Sequence, residues 1–425
     1  MSTSMDVAEY KKQSPMAGTL RMDRMAHIWC PGCGIGSEVN SFAEAVKRSG
    51  IDPNKLAVVS GIGCTGRVAG YVDFDSIHTT HGRAIPVATG LKLARPDMKV
   101  VVFSGEGDLT GIGGNHFIHA ARRNMDIVVI CNNNFTYGMT GGQVTPTTPS
   151  SAISSTTPFG NHEYPFNLPL LADACGATYV ARWTSMHSRN LVQSIEEALS
   201  RKGFSFIEVI SPCTTLYLRR NRLGDGVDAL QFYQERAILK HGADTRDLDI
   251  NFQDKIIVGK FVEKDKPTYI EALDKRCVQV VGDDYQLYGK TVPEREAEEK
   301  AEKERIAARR AAVLAEDEAG AAKETAAVLK RAAAKTAAPK KAAAAKRPAA
   351  AKKAGAKASK AAAKKAPAAK KAAAPKKAAA PKKAAAAKKP VAKKAAAPKA
   401  APKKPAAKAP AKKAAPKAAA KKTRK

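Results

Sequence analysis

Gly105-Glu106-Gly107-Asp108-Leu109-Thr110-Gly111-Ile112-Gly113-Gly114 opens the stretch that decides the fold, and Asn132-Asn133-Asn134-Phe135-Thr136-Tyr137-Gly138 stands near its end. An apolar, β-branched run over residues 100–103 leads into the glycine cluster. A helical pattern follows over 115–123, and a second strand pattern over 127–130 ends at the three asparagines. Strand, acidic glycine turn, helix, strand and amide turn form a βαβ unit, which brings both turns to the carboxyl edge of a parallel sheet, where α/β folds bind ligands. Carboxylate and amide oxygens facing one crevice suit a hard cation such as Mg²⁺, and glycine-exposed N–H groups at a helix start suit phosphate. Residues 105–142 therefore predict a metal-bridged diphosphate site.

Outward from this unit, composition divides the 425-residue chain unevenly. From residue 321 onward there are 35 Lys and Arg against one acid, Glu324, so the net charge of +32 leaves about −2 for residues 1–320. The first part is thus an ordinary globular composition able to bury a large core. The sequence divides into an N-terminal arm (1–26), a catalytic region (27–290), a charged helical spacer (291–330) and a Lys/Ala/Pro-rich tail (331–425) expected to be disordered. No apolar run reaches about 18 residues, which argues against a membrane span and for a cytoplasmic protein. All seven cysteines precede the tail, and in a reducing compartment an odd number favours ligands and core thiols over disulfides.

Cys30-Pro31-Gly32-Cys33 is a Cys-x-x-Cys turn entering a helical pattern over 37–47. The strand pattern at 56–60 leads into Gly61-Ile62-Gly63-Cys64-Thr65-Gly66-Arg67. A Cys-x-x-Cys turn alone fits a redox dithiol, a zinc knuckle or half an iron–sulfur site. Residues 78–90 read as a loop carrying His78, His81 and Arg83 into a helix. After the central unit, the Thr/Ser/Pro-rich residues 143–165 read as an active-site loop. Helix and strand patterns then alternate over 168–175, 178–183, 188–202 and 205–210, with Cys213 following the last strand, and a further strand is expected at 255–261. In the spacer, i,i+4 charge pairs such as Glu299 and Lys303 indicate a solvated helix. The fold class is α/β: a doubly wound parallel sheet with helices on both faces, then the spacer and tail.

With these motifs in hand, the chain resembles the β subunit of the 2-oxoacid:ferredoxin oxidoreductases, and within them the 2-oxoglutarate members. The matching segments are Trp29 to Gly34, Gly61 to Arg67, His81-Gly82-Arg83, Gly105 to Asn115 and Tyr137 to Gln143. The resemblance covers residues 20–290 and implies a thiamine diphosphate fold whose motif is Gly-Asp-Gly, about 25 residues, then Asn-Asn. Here Gly105-Glu106-Gly107 and Asn133-Asn134 enclose 25 residues. By that match Glu106, Asn134 and the Thr136 carbonyl are the Mg²⁺ ligands, with Asp108 as the rival acid, and Gly105, Gly107, Tyr137 and Gly138 line the cofactor. Glu106 replaces the usual Asp. The resemblance further implies a [4Fe–4S] cluster on Cys30, Cys33, Cys64 and Cys213, with four-thiolate zinc as the alternative. Cys131, Cys175 and Cys277 read as core thiols.

Such enzymes oxidatively and reversibly decarboxylate a 2-oxo acid, here 2-oxoglutarate, to the acyl-coenzyme A and CO₂, passing electrons through the cluster to ferredoxin. Thiamine diphosphate supplies the carbanion that attacks the 2-oxo carbon and the electron sink for loss of CO₂. Arg67 is the candidate partner of a substrate carboxylate, and His81 and Arg83 are candidate contacts to cofactor or substrate. The glutamate that activates the aminopyrimidine belongs to an α subunit in this family, so the β chain alone is expected to bind the cofactor poorly and to turn over nothing. The assembly is a hetero-oligomer of α and β, with or without γ and δ subunits. Alternatives are pyruvate or another 2-oxo acid as substrate, a non-redox thiamine diphosphate decarboxylase or synthase, and, from the linker-histone-like tail, a nucleic-acid-binding protein. The tail's charge suits nucleic acid or another polyanion.

Overall fold

The computed structural model describes residues 15–336. Most of the tail expected to be disordered, and the first fourteen residues of the arm, lie outside them. The frame is an eight-stranded sheet in the order β2-β1-β3-β4-β6-β5-β8-β7. Its strands are β1 (Leu56–Ser60), β2 (Asp75–His78), β3 (Lys99–Gly105), β4 (Val128–Asn133), β5 (Tyr179–Thr184), β6 (Ser205–Ile210), β7 (Ala237–Leu239) and β8 (Ile256–Glu263). The first six strands are mutually parallel; β8 runs antiparallel to β5 and carries β7 along with it. The expected parallel sheet is therefore present with a reversed edge pair, and the short β7 went unread because only three residues pair there.

Alternation along the strands explains why both faces are covered. Val58, Val101, Phe103, Ile130 and Ile207 point into one core, whereas Val59, Val100, Val102, Val129 and Phe206 point into the other. Strands apolar on both sides need helices on both sides. The first core is closed by α1 (Ile35–Ser49) and α5 (Ser188–Ser200), and the second by α2 (Ala84–Ala94), α3 (Gly114–Arg122) and α4 (Leu168–Ala174). Because β1, β3, β4, β5 and β6 run the same way, Gly61, Glu106, Asn134, Ser185 and Ser211 all begin loops at one edge. That edge carries the candidate site.

Helices α6 (Gly226–Arg236), α7 (Tyr269–Val281) and α8 (Val292–Thr336) complete the described chain. The spacer is helical and largely exposed as expected, but one face of it is docked. Ile306 packs on the core, Lys55 pairs with Glu302 at 3.3 Å, and Lys47 pairs with Asp317 at 3.1 Å. At the left-handed end of α1, Gly50 (φ +72) admits the α8 backbone so closely that a Cβ would meet the Ile306 carbonyl oxygen at 2.6 Å. Several of the charges that make α8 look solvated are paired with residues far away in sequence. The N-terminal arm is also partly anchored: Leu20 is buried and bridges to Val72.

Candidate active site

Glu106 directly follows β3 and is 3 % exposed; Asn134 directly follows β4 and is 7 % exposed. The two are brought side by side because Gly105 pairs with Asn132 in the β3–β4 ladder. The Asn134 backbone N–H donates to Glu106 Oε2 at 3.5 Å. Glu106 Oε1 and Asn134 Oδ1 are both buried without a hydrogen-bond donor. Two bare oxygens in a dry site carry a desolvation cost that only a donor or a cation offsets. Burial pushes the Glu106 carboxyl up to about 7, against the opposing contacts from its own backbone, Thr145, Asn134 and Thr136. The donor set therefore fits Mg²⁺: a carboxylate and an amide oxygen, with Thr136 close enough to touch the same carboxylate.

Phe135, between Asn134 and Thr136, has φ +62, which is costly for a bulky residue. The loop after it holds that conformation. Thr148 Oγ1 donates to the Phe135 carbonyl at 2.7 Å, and Thr147 Oγ1 donates to Asn133 Oδ1 at 2.9 Å. The Phe135 N–H donates to the same Asn133 oxygen at 3.2 Å. The Thr/Pro-rich loop thus buttresses the amide turn. The third asparagine contact is deeper: Asn133 Nδ2 donates to Glu208 at 2.7 Å, and Glu208 is paired with the buried Arg182 at 2.5 Å.

Asp108 has another task. Its Oδ2 accepts from Ser104 Oγ at 2.6 Å, and its Oδ1 accepts from the Gly82 N–H at 2.7 Å and contacts His81 Nδ1. With both oxygens engaged, Asp108 ties the 80–83 loop to the glycine turn, leaving Glu106 as the acid with a free oxygen. Asp108 also explains Gly61, where a Cβ would overlap the Asp108 carboxylate. His81 reaches the site through Asp108 and packs edge-on to Tyr137, with ring centroids 6.1 Å apart. Arg83 is exposed at the start of α2, its Nη1 donating to the Gly82 carbonyl at 3.2 Å. His78 bonds the Gly66 carbonyl at 2.8 Å, a contact within the fold.

Three turns, carrying Cys30 and Cys33, Cys64, and Cys213, converge beside this crevice. Trp29 Nε1 donates to the Cys64 carbonyl at 2.8 Å, Thr214 Oγ1 donates to the Pro31 carbonyl at 3.1 Å, and Cys30 Sγ lies 3.7 Å from Thr215 Oγ1. Gly32 (φ +76) and Gly34 permit the close fit; a Cβ on Gly34 would overlap Ser211 and Ser185. Burial raises the Cys33 thiol to about 12, with Cys213, Cys64 and Cys30 each adding to the rise. Cys64 is raised by burial and by Cys213 and Cys30, while Arg67 acts in the opposite direction. Among the described residues no three His, Cys, Asp or Glu side chains form a group that could hold a single metal ion. Arg67 is exposed, and its influence on Cys64 places its charge by the thiols.

Tyr137 and Gly138 join the two halves. Tyr137 hydroxyl donates to the Gly107 carbonyl at 3.0 Å, its ring filling the space a Gly107 side chain would need. A Cβ on Gly138 would lie 3.4 Å from Cys213 Sγ and 3.9 Å from Cys64 Sγ. All seven cysteines are unpaired. Cys131 is fully buried as expected, whereas Cys277 is half-buried near Tyr285 because α7 lies at the surface. Sequence reasoning missed Glu38, Asn132, Arg182 and Glu208. Glu38 and Asn132 are wholly buried and joined at 2.7 Å.

This architecture defines a thiamine diphosphate-binding domain, and residues 61–209 match the family described as "Thiamine pyrophosphate enzyme, C-terminal TPP binding domain". The chain is 48% identical over 270 residues to 2-oxoglutarate synthase subunit KorB of Methanothermobacter thermautotrophicus, covering 64% of this chain and 93% of that one. It is 50% identical over 262 residues to the subunit of the same name from Methanocaldococcus jannaschii, covering 61% and 96%. Among solved structures it resembles the 2-oxoglutarate:ferredoxin oxidoreductase from Magnetococcus marinus with 2-oxoglutarate, coenzyme A and succinyl-CoA bound. That likeness has a TM-score of 0.55 and 32% identity, and covers 67% of this chain and 94% of that one. The chain belongs to the β-subunit family of the 2-oxoacid:ferredoxin oxidoreductases.

Proposed function

We propose that this β subunit, completed by an α subunit, converts 2-oxoglutarate and coenzyme A to succinyl-CoA and CO₂, reversibly, with ferredoxin as electron acceptor. The observation that carries the reading is the adjacency built by Tyr137 and Gly138: a crevice with two bare buried oxygens on one side and four gathered cysteines on the other. Glu106, Asn134 and Thr136 would hold Mg²⁺ and through it the diphosphate. Cys30, Cys33, Cys64 and Cys213 would hold a [4Fe–4S] cluster, whose positive iron reverses the preference of buried thiols for their protons. When bound, thiamine diphosphate supplies the nucleophilic carbanion and the electron sink. Tyr137 and the strained Phe135 turn fix the crevice wall, and Asp108 holds His81 at its mouth. Arg67 and Arg83 stand exposed as cations for carboxylate or phosphate. The names of the relatives support 2-oxoglutarate as substrate.

Phe159 and Tyr164 stand fully exposed on the 143–166 loop beside the crevice, as residues awaiting a covering surface would. This supports an α subunit that completes the site. Anaerobic co-purification with an α chain, followed by assay with 2-oxoglutarate or pyruvate, coenzyme A and a viologen dye, tests the reading. Expected are a brown, iron-containing β subunit, turnover of 2-oxoglutarate over pyruvate, and none by β alone. A colourless, iron-free protein active without an electron acceptor would overturn it in favour of a non-redox decarboxylase. For residues 331–425 we propose salt-dependent binding to nucleic acid or another polyanion, on the strength of their charge. Unchanged DNA retention after truncation at residue 336 would refute that.

A further inference from the structure

The side chain of Glu38, on the first turn of α1, is wholly buried at the end of β4, five residues after Cys33. Asn132 Nδ2 donates one hydrogen to Glu38 Oε2 at 2.7 Å and the other to Ser211 Oγ at 2.6 Å. The remaining oxygen of each group, Glu38 Oε1 and Asn132 Oδ1, is buried without a donor. Two planar groups joined by one hydrogen bond are each left with one bare oxygen, and one carboxyl proton shared between them would satisfy both. Turning the amide over does not remove the need. Asn132 Oδ1 would then face Glu38 Oε2 at the same 2.7 Å, and two oxygens at that distance require a hydrogen between them.

We propose that Glu38 is a neutral carboxylic acid whose proton closes a two-hydrogen-bond ring with the Asn132 amide, clamping the helix that follows the Cys30–Cys33 turn to the strand that delivers Asn134. The surroundings agree. Among the described residues no salt bridge joins a cation to Glu38, and it shares the surroundings of Cys131 with three other acids. The Cys131 thiol is raised by burial and then by Glu208, Glu106, Glu38 and Asp108 together. Glu208 has Arg182 and Asp108 has His81, but Glu38 has only the amide. Burial pushes its carboxyl up to about 8, with the Asn132 bond acting in the other direction. The proton assignment stands on the ring alone. Its use, as a positioning clamp between cysteine turn and metal ligand, rests on the function proposed above.

The test is made on the full-length chain. Infrared spectra at pH 7 should contain a protonated-carboxyl band that shifts in D₂O, persists in Glu106→Gln and disappears when Glu38→Gln is added to Glu106→Gln. Glutamine preserves both hydrogen bonds of the ring as an amide pair, so Glu38→Gln should fold. Wild type should lose folding equilibrium relative to Glu38→Gln by about tenfold per pH unit between its unfolded and folded titrations. Glu38→Ala should weaken Mg²⁺-dependent thiamine diphosphate binding by about tenfold or more, as for lost support of a metal ligand, while Glu38→Gln stays near wild type. No band in wild type or in Glu106→Gln, parallel pH–stability curves, or failure of Glu38→Gln to fold would each overturn the proton. Loss of cofactor binding equally in both Glu38 variants would overturn the clamp. Absence of cofactor binding in the wild-type complex with its α subunit would instead refute the proposed function and leave the proton standing.

Discussion

Glu106→Gln is the substitution that separates stability from function. Burial holds the Glu106 carboxyl at about 7, against an ordinary 4.5. Ionising it in place without a metal therefore costs about 3 kcal/mol. Since the folded protein keeps this proton longer than the unfolded chain does, the Glu106 contribution to metal-free stability is greatest below about pH 4.5. It falls as pH rises towards 7 and levels beyond. Glutamine has the same shape and no charge to bury. At pH 8 the metal-free variant should thus be more stable than wild type by up to about 3 kcal/mol, while losing the further stabilisation that Mg²⁺ and thiamine diphosphate give wild type. Urea unfolding of the metal-stripped, full-length proteins at pH 6, 7 and 8, with and without Mg²⁺ and cofactor, reads both effects, and the Glu38 contribution cancels in the difference. A variant no more stable than wild type at pH 8, or one still stabilised by Mg²⁺ and cofactor as wild type is, would refute Glu106 as the ligand.

Mg²⁺ affinity in wild type should rise about tenfold per pH unit below pH 7 and flatten above, because the ligand must shed its proton; calorimetric titration at several pH values checks this. Arg182→Met strands Glu208 in a site where both side chains are 1% exposed and should cost about 3–5 kcal/mol, read as a lower denaturation midpoint. Gly138→Val should reduce bound iron and visible absorbance, since its first carbon alone would stand 3.4 Å from Cys213 Sγ; full iron content would contradict the placement. Ending the chain at residue 336 should leave thermal unfolding unchanged. Ending it at residue 291 should lower the unfolding temperature by stripping α8 from α1 and uncovering the core around Ile306.

The central unit was legible because its residues are constrained locally. The β-branched run ends at glycines, the amides follow the next strand, and these signals survive without knowledge of neighbours. Leu56–Ser60 and Ser205–Ile210 coincide with their sequence patterns for the same reason. Glu38 was illegible because an acid in the first turn of a helix ordinarily faces water. Asn132 at the end of β4, itself bonded to Ser211 after β6, meets the Glu38 carboxyl in the interior. The docking of α8 was hidden in the same way. Its Glu and Arg residues resemble a solvated face until Lys47, Lys55 and Glu196 are brought opposite them. The difference between Glu106 and Asp108 was likewise hidden, because only the fold brings Ser104 and Gly82 onto the Asp108 oxygens.

The Tyr137–Gly138 dipeptide has an evolutionary consequence. One residue seals the glycine turn with its ring, and the next admits two thiols by having none. The two redox partners of the proposed reaction are thus separated by a single peptide unit, so neither site can drift without disturbing the other. A lineage losing its electron carrier would face no selection to keep a glycine at 138. A bulky residue there would then mark, in sequence alone, a descendant that had kept the cofactor and abandoned electron transfer.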